Sequence, residues 1–181
     1  MRKVIIFFVF IFGGLCCKAQ IKLINKDAGI SVILPDSAKE IDAINLKGKY
    51  SGGFYSKINN RSRMIKWDRI YLLDDSVLIS VRFFNKSPFF EKERTIHEYS
   101  YAIYHESNGA FTKKETEING RSYLLYYYKH KDNNNDYFVR FFSDITKNDR
   151  VLGLIRYPSG YSIDQIEKKT VEILSGIQFE K

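Results

Sequence analysis

Cysteine is almost absent from this chain of 181 residues: Cys16 and Cys17 are the only two. Once a leader that contains them is removed, the chain can use no disulfide, no thiolate nucleophile and no cysteine-ligated metal. Long apolar runs are equally scarce. Residues 4–15 form an unbroken one, but a membrane-spanning helix needs about 20 such residues. Charge of one sign is in modest excess: the formal net charge is +8, and without Arg2, Lys3 and Lys18 it falls to about +5. Basic clusters (Arg61, Arg63, Lys66 and Arg69; Lys113 and Lys114) are interspersed with acids. They read as solvated surface rather than a nucleic-acid face, so no nucleic-acid partner is expected. There is no Gly-x-Ser-x-Gly elbow, no Ser-x-x-Lys pair, no P-loop and no Gly-x-Gly-x-x-Gly. The recognisable signatures of nucleophilic and nucleotide chemistry are therefore missing.

What is present begins with that short apolar run. A positive start at Arg2 and Lys3, the run at 4–15 and the small residues Cys17 and Ala19 make residues 1–19 a secretory leader, cut between Ala19 and Gln20. A lipid anchor fits less well. A bacterial lipobox wants a small residue before its cysteine, whereas Leu15 precedes Cys16 and Cys16 precedes Cys17. The remaining residues, 20–181, fit one domain and can bury a core without staples. Export to the periplasm or beyond is expected, with no membrane-spanning segment after cleavage. Aromatic residues are abundant: all 13 tyrosines lie in this part, with Trp67 and most of the phenylalanines.

Alternation and turn chemistry predict the elements. Residues 29–34 read as a strand stopped by Pro35, and 36–44 as a short helix. Residues 47–58, with Gly52-Gly53, suggest a bent strand, and the polar residues 59–66 a loop. Two strands, 69–73 and 76–84, meet at Asp74-Asp75; in the second, Val77, Ile79, Val81 and Phe83 share a face. Ser87-Pro88 opens a helix over 87–106, with Ile96, Tyr99 and Ile103 as its apolar stripe and Asn108-Gly109 as its stop. Asn119-Gly120 between residues 113–118 and 121–130 is the strongest short-range hairpin signal. Strands at 137–142 and 151–157 follow a polar loop at 131–136. Ser162 and Gln165 form a capping box for a last helix, whose apolar face runs through Ile163, Ile166, Thr170, Leu174 and Ile177. Gly176 ends it, and residues 177–179 add a strand.

Residues 123–128 and 137–142 are apolar on both faces, as strands covered on both sides are. Consecutive hairpins make the sheet mostly antiparallel, so the class is α+β with helices covering the sheet. The order of these segments resembles the Mog1/PsbP-like superfamily. The resemblance lies in "GISVILP" at 29–35, the hairpin "EING-SYLLYYY" at 117–128 and the closing "EILSGIQFEK" at 172–181. It implies an α/β/α sandwich and a binding or assembly module rather than an enzyme. Superfamily members include a Ran-binding nuclear protein, photosystem II lumen subunits and exported bacterial proteins of unknown function. The leader resembles those of Bacteroidota.

Candidate chemistry is thin. His97, Tyr101 and His105 share a helical stripe, but residues eight apart are about 12 Å apart along the axis, too far to share a zinc ion. Asp132, Asn134 and Asp136 are spaced like the start of a calcium loop. Tyr137 stands where its glycine belongs, and Ser143 where its glutamate does. A weak cation site with Asp74 and Asp75 is the residual reading of these acids, against ordinary hairpin-loop composition. No cofactor is expected. Glu115, Glu117 and Asp144, with His97, His105 and His130, are the material for a rival reading as a secreted hydrolase. Arg140, mid-strand between Phe138 and Phe142, either pairs with an acid or anchors a ligand anion. Tyrosine offers large contact area with a polar tip. Tyr101, Tyr104, Tyr126, Tyr128 and Arg140 are therefore the candidate binding residues, for a protein or glycan of the cell envelope.

Overall fold

Tyr123, Leu125 and Tyr127 alternate with Leu124, Tyr126 and Tyr128, and all six are buried. A strand that buries both faces has to run through the middle of a sheet with material on each side. The computed structural model describes residues 21–26, 29–41, 70–84, 92–130, 136–143 and 150–179. The leader with its cut, the bent strand at 47–58, the loop at 59–66, the Ser87-Pro88 helix start, Asp132, Asn134 and Asp144 lie outside them.

The described elements are β1 (Lys22–Asn25), β2 (Ile30–Ile33), β3 (Lys39–Ile41), β4 (Ile70–Leu73), β5 (Val77–Phe84), α1 (Lys92–Glu106), β6 (Phe111–Ile118), β7 (Arg121–Lys129), β8 (Tyr137–Ser143), β9 (Arg150–Tyr157), α2 (Ile163–Ser175) and β10 (Ile177–Phe179). Seven strands form one sheet in the order β3-β4-β5-β9-β8-β7-β6, and three form a second, β1-β2-β10. Every pairing among the described residues is antiparallel. The mostly antiparallel α+β class is therefore observed, with sheet as the larger part.

Period-two alternation divides the large sheet's side chains into two cores. One holds Ile79, Tyr123, Leu125, Tyr127, Val139, Phe141 and Tyr157, with Ile166, Ile173 and Leu174 of α2 and Leu23, Ile30 and Val32 of the small sheet. The other holds Leu124, Tyr126, Tyr128, Phe138, Phe142, Leu152 and Leu154, with Ile103 of α1. Val77, Ile79, Val81 and Phe83 do share the first face.

Turn chemistry fixes the registers. Asn119 and Gly120 take φ of 52° and 71°, as a two-residue hairpin turn matched to strand twist requires. Asp74 and Asp75 take 48° and 56° in a three-residue connection that the Ser76 N–H closes onto the Leu73 carbonyl. Asp74 and Asp75 are not free for a cation. Lys169 holds the first and Lys39 the second, at 2.9 Å. The hydrogen bond from Lys169, and then that with Ser37, hold the Asp74 carboxyl below the usual aspartate range.

Two local expectations are corrected. Residues 36–41, the described part of the expected 36–44 helix, are not helical: after a turn at Asp36-Ser37, β3 pairs with the edge of β4, Lys39 opposite Leu72 and Ile41 opposite Ile70. A ladder on the sheet edge outweighs a weak local helix preference. Ile163 is exposed, so the buried stripe of α2 is Ile166, Thr170, Ile173 and Leu174. As the helix's first residue it has no preceding turn beside it. The glycine at the end of α2 is needed for space rather than for a left-handed φ. Gly176 has φ −74°, but a Cβ there would stand 2.2 Å from the Ile33 carbonyl oxygen.

The Ser162–Gln165 capping box is complete, with Ser162 Oγ accepting from the Gln165 amide. Ser162→Ala should lower unfolding free energy by about 1 kcal/mol, measured by urea denaturation. Burial pushes the Tyr127 phenol up to about 12. It pushes Tyr123, Tyr128 and Tyr157 up as well. Unfolded tyrosine ionises near pH 10, so the unfolded chain loses these protons first, and stability should fall as pH climbs past about 10. In an alkaline titration these four phenols should ionise only together with loss of near-ultraviolet circular dichroism. Smooth ionisation of every tyrosine in a chain that keeps that signal would contradict the burial.

Candidate functional site

The 3.6-residue period of α1 splits its C-terminal half into two faces. Ile103 and Ser107 are buried, and Ser100 and Glu106 are partly covered. His97, Tyr101, Tyr104, His105 and Asn108 are exposed. The inner face meets the sheet where β7 and β8 place Tyr126 opposite Arg140 and Tyr128 opposite Phe138.

The inner contacts are polar as well as apolar. The hydroxyls of Ser100 and Tyr126 lie 2.8 Å apart. Tyr128 donates to Glu106 Oε2 at 2.6 Å. Arg140 Nη2 reaches both Glu106 oxygens at 3.0 Å. The Arg140 and Glu106 side chains are 7% and 18% exposed, so this ion pair is almost out of water. Burial, with a smaller contribution from the Glu106 charge, keeps the Tyr128 phenol protonated and able to donate. Glu106, engaged by three hydrogen bonds, is an anchor rather than an available acid or base. Arg140 thus finds an acid partner, one that the sequence reading did not name. A second such pair lies on the same sheet face: Arg156 Nε donates to Asp136 Oδ2 at 2.8 Å. That bond also occupies the Asp136 carboxylate that the calcium-loop spacing suggested.

The outer face carries aromatic rings. The His105 imidazole lies 4.3 Å from the Tyr101 ring and 5.7 Å from the Tyr104 ring, edge-on in both cases. Tyr101 is 62% exposed and Tyr104 is 55% exposed, a large apolar area to leave in water. Tyr104 is fixed from behind. Gly109 (φ 80°) donates its N–H to the Tyr104 carbonyl at 2.8 Å, and a Cβ on Gly109 would come within 3.0 Å of the Tyr104 ring.

All five candidate binding residues therefore converge on the end of α1. Tyr101 and Tyr104 face solvent. Tyr126, Tyr128 and Arg140 are buried beneath the helix and reach a surface partner only through it. Sequence reasoning missed Glu106, Ser100 and the Asp136–Arg156 pair. The available signal was position: Glu106 is three residues after the buried Ile103, on the helix's inner side. Among the described residues, no group of three or more His, Cys, Asp or Glu side chains could hold a metal ion. No helix among them is long and apolar enough to cross a membrane.

No family model matches the chain, and no curated protein matches it. Among solved structures, it is similar to the solution structure of cyanobacterial PsbP (CyanoP) from Synechocystis. That likeness has a TM-score of 0.54 at 11% identity, over 93% of this chain and 96% of that one.

Proposed function

We propose that this chain, whose fold is PsbP-like, is an exported binding or assembly module that works without turnover. The observation that carries the reading is the pair of exposed rings, Tyr101 and Tyr104, presented by a helix whose inner face is locked to the sheet. Exposed aromatics on a rigid support supply contact area at little entropic cost. Export, cleavage before Gln20 and a protein or glycan of the cell envelope as partner belong to the same proposal, supported by the leader's pattern. So does an α/β/α layering, supported by the separate cores that include α1 and α2.

The test is capture from a native envelope extract, followed by affinity measurement. Tyr101→Ala and Tyr104→Ala should each weaken partner binding by about 1–3 kcal/mol, as aromatic anchors do, with the melting temperature nearly unchanged. The exported protein should begin at Gln20. Turnover on a panel of peptides, glycans and esters, abolished by His97→Ala or His105→Ala, would overturn the reading in favour of a hydrolase.

A further inference from the structure

The turn between β6 and β7 combines three properties. Its residues are Asn119 and Gly120, both with positive φ. The turn is exposed, and the space around Gly120 is open: a Cβ there would meet nothing within 4 Å. The Asn119 side chain also has a structural task. Its Nδ2 donates to the carbonyl of Ser175 at 2.9 Å, tying the hairpin to the last residue of α2.

A glycine amide is the least shielded backbone nucleophile a carboxamide can have as its neighbour. We propose that Asn119 is a site of spontaneous deamidation, and that its conversion detaches the β6–β7 turn from the end of α2. The Gly120 nitrogen, having lost its proton to solvent base, attacks Asn119 Cγ. The N–Cγ bond forms, the Cγ–Nδ2 bond breaks, and Nδ2 leaves as ammonia with a proton from water, closing a five-membered succinimide. Water then adds to either ring carbonyl and opens the ring to aspartate or isoaspartate. The net change is amide plus water to carboxylate plus ammonium, with no redox partner.

The product loses the amide's donor hydrogens, so the bond to Ser175 cannot be remade. It also adds a negative charge at the carbonyl end of α2, where the helix dipole is already negative. A nearby tie remains, the Arg121 guanidinium 4.3 Å over the Phe179 ring, so the release is local.

The test is incubation of the purified folded protein in mildly alkaline buffer, followed by peptide mapping. Asn119 should gain the mass of an amide-to-acid exchange and give both aspartyl and isoaspartyl products. Gly120→Ala should slow the conversion several-fold. Asn119→Asp, made directly, should melt at a lower temperature than the parent. Two results would overturn the proposal: an Asn119 that stays intact in the folded protein while the urea-unfolded chain converts, or an Asn119→Asp variant as stable as the parent.

Discussion

Glu106→Ala should lower the unfolding free energy by about 3–5 kcal/mol, the cost of removing the acid from a buried ion pair. Arg140 is 7% exposed at its side chain and reaches both Glu106 oxygens. Without Glu106, the Arg140 side chain remains on the covered face, with Tyr126 and Leu154 as cross-strand neighbours and Tyr128 close by, and with much of its hydration removed. Tyr128 also loses the acceptor of its 2.6 Å hydrogen bond. Glu106→Gln keeps an acceptor but not the charge, so its cost should be intermediate. The double variant Glu106→Gln/Arg140→Met should cost less than Glu106→Ala, since it removes both charges while keeping similar volume. Urea denaturation of the three variants gives the ordering directly. A Glu106→Ala variant within about 1 kcal/mol of the parent would mean the pair is solvated, as surface pairs are.

Gly153→Val should be the most damaging substitution in the sheet interior, at about 3 kcal/mol or more. Gly153 lies in β9 between Val81 of β5 and Phe141 of β8. A Cβ at this position would fall 2.2 Å from Phe141 Cζ and 2.5 Å from the Ser80 carbonyl oxygen. The ring can turn; the carbonyl belongs to the backbone ladder and cannot. Truncating Phe141 to Leu in the same chain should recover part of the loss but not all of it. The two effects should be non-additive, as expected for side chains in direct contact. Full additivity in thermal unfolding would show that the Phe141 ring does not occupy the space over Gly153.

The elements that were legible in the sequence are those whose signal is local. The Asn119-Gly120 hairpin, the Ser162–Gln165 box and the two-sided strands at 123–128 and 137–142 follow from turn chemistry, capping and alternation. The missed elements depend on residues far away in the chain. β3 exists because β4 offers it an edge, and nothing within residues 36–44 announces that partner. β1 is four residues long and alternates too briefly to register, with Leu23 buried and Ile24 exposed. Periodicity places Tyr126 and Tyr128 on one face of their strand; the strand register, which it does not set, adds Arg140. It could not say that α1 covers that face, so three candidates for contact are buried while Tyr101 and Tyr104 stay in water. The Glu106–Arg140 and Asp136–Arg156 pairs are tertiary facts. An arginine inside an aromatic strand hinted at the first, but the partner's identity is set by packing.

The position of β9 also bears on how this chain finds its structure. Strands β6, β7, β8 and β9 follow one another in sequence and in space, whereas β5 meets β9 only across the whole of α1 and that meander. The meander can therefore zip up through short loop closures, while the β5–β9 seam must close the longest loop in the large sheet. Folding kinetics should be polarised accordingly. Conservative truncations at Leu124 or Val139 should slow folding, and truncation of Val81 should chiefly speed unfolding. Once closed, that seam is held by seven register pairs, against three between β3 and β4, so the outer edge at β3 should open before it.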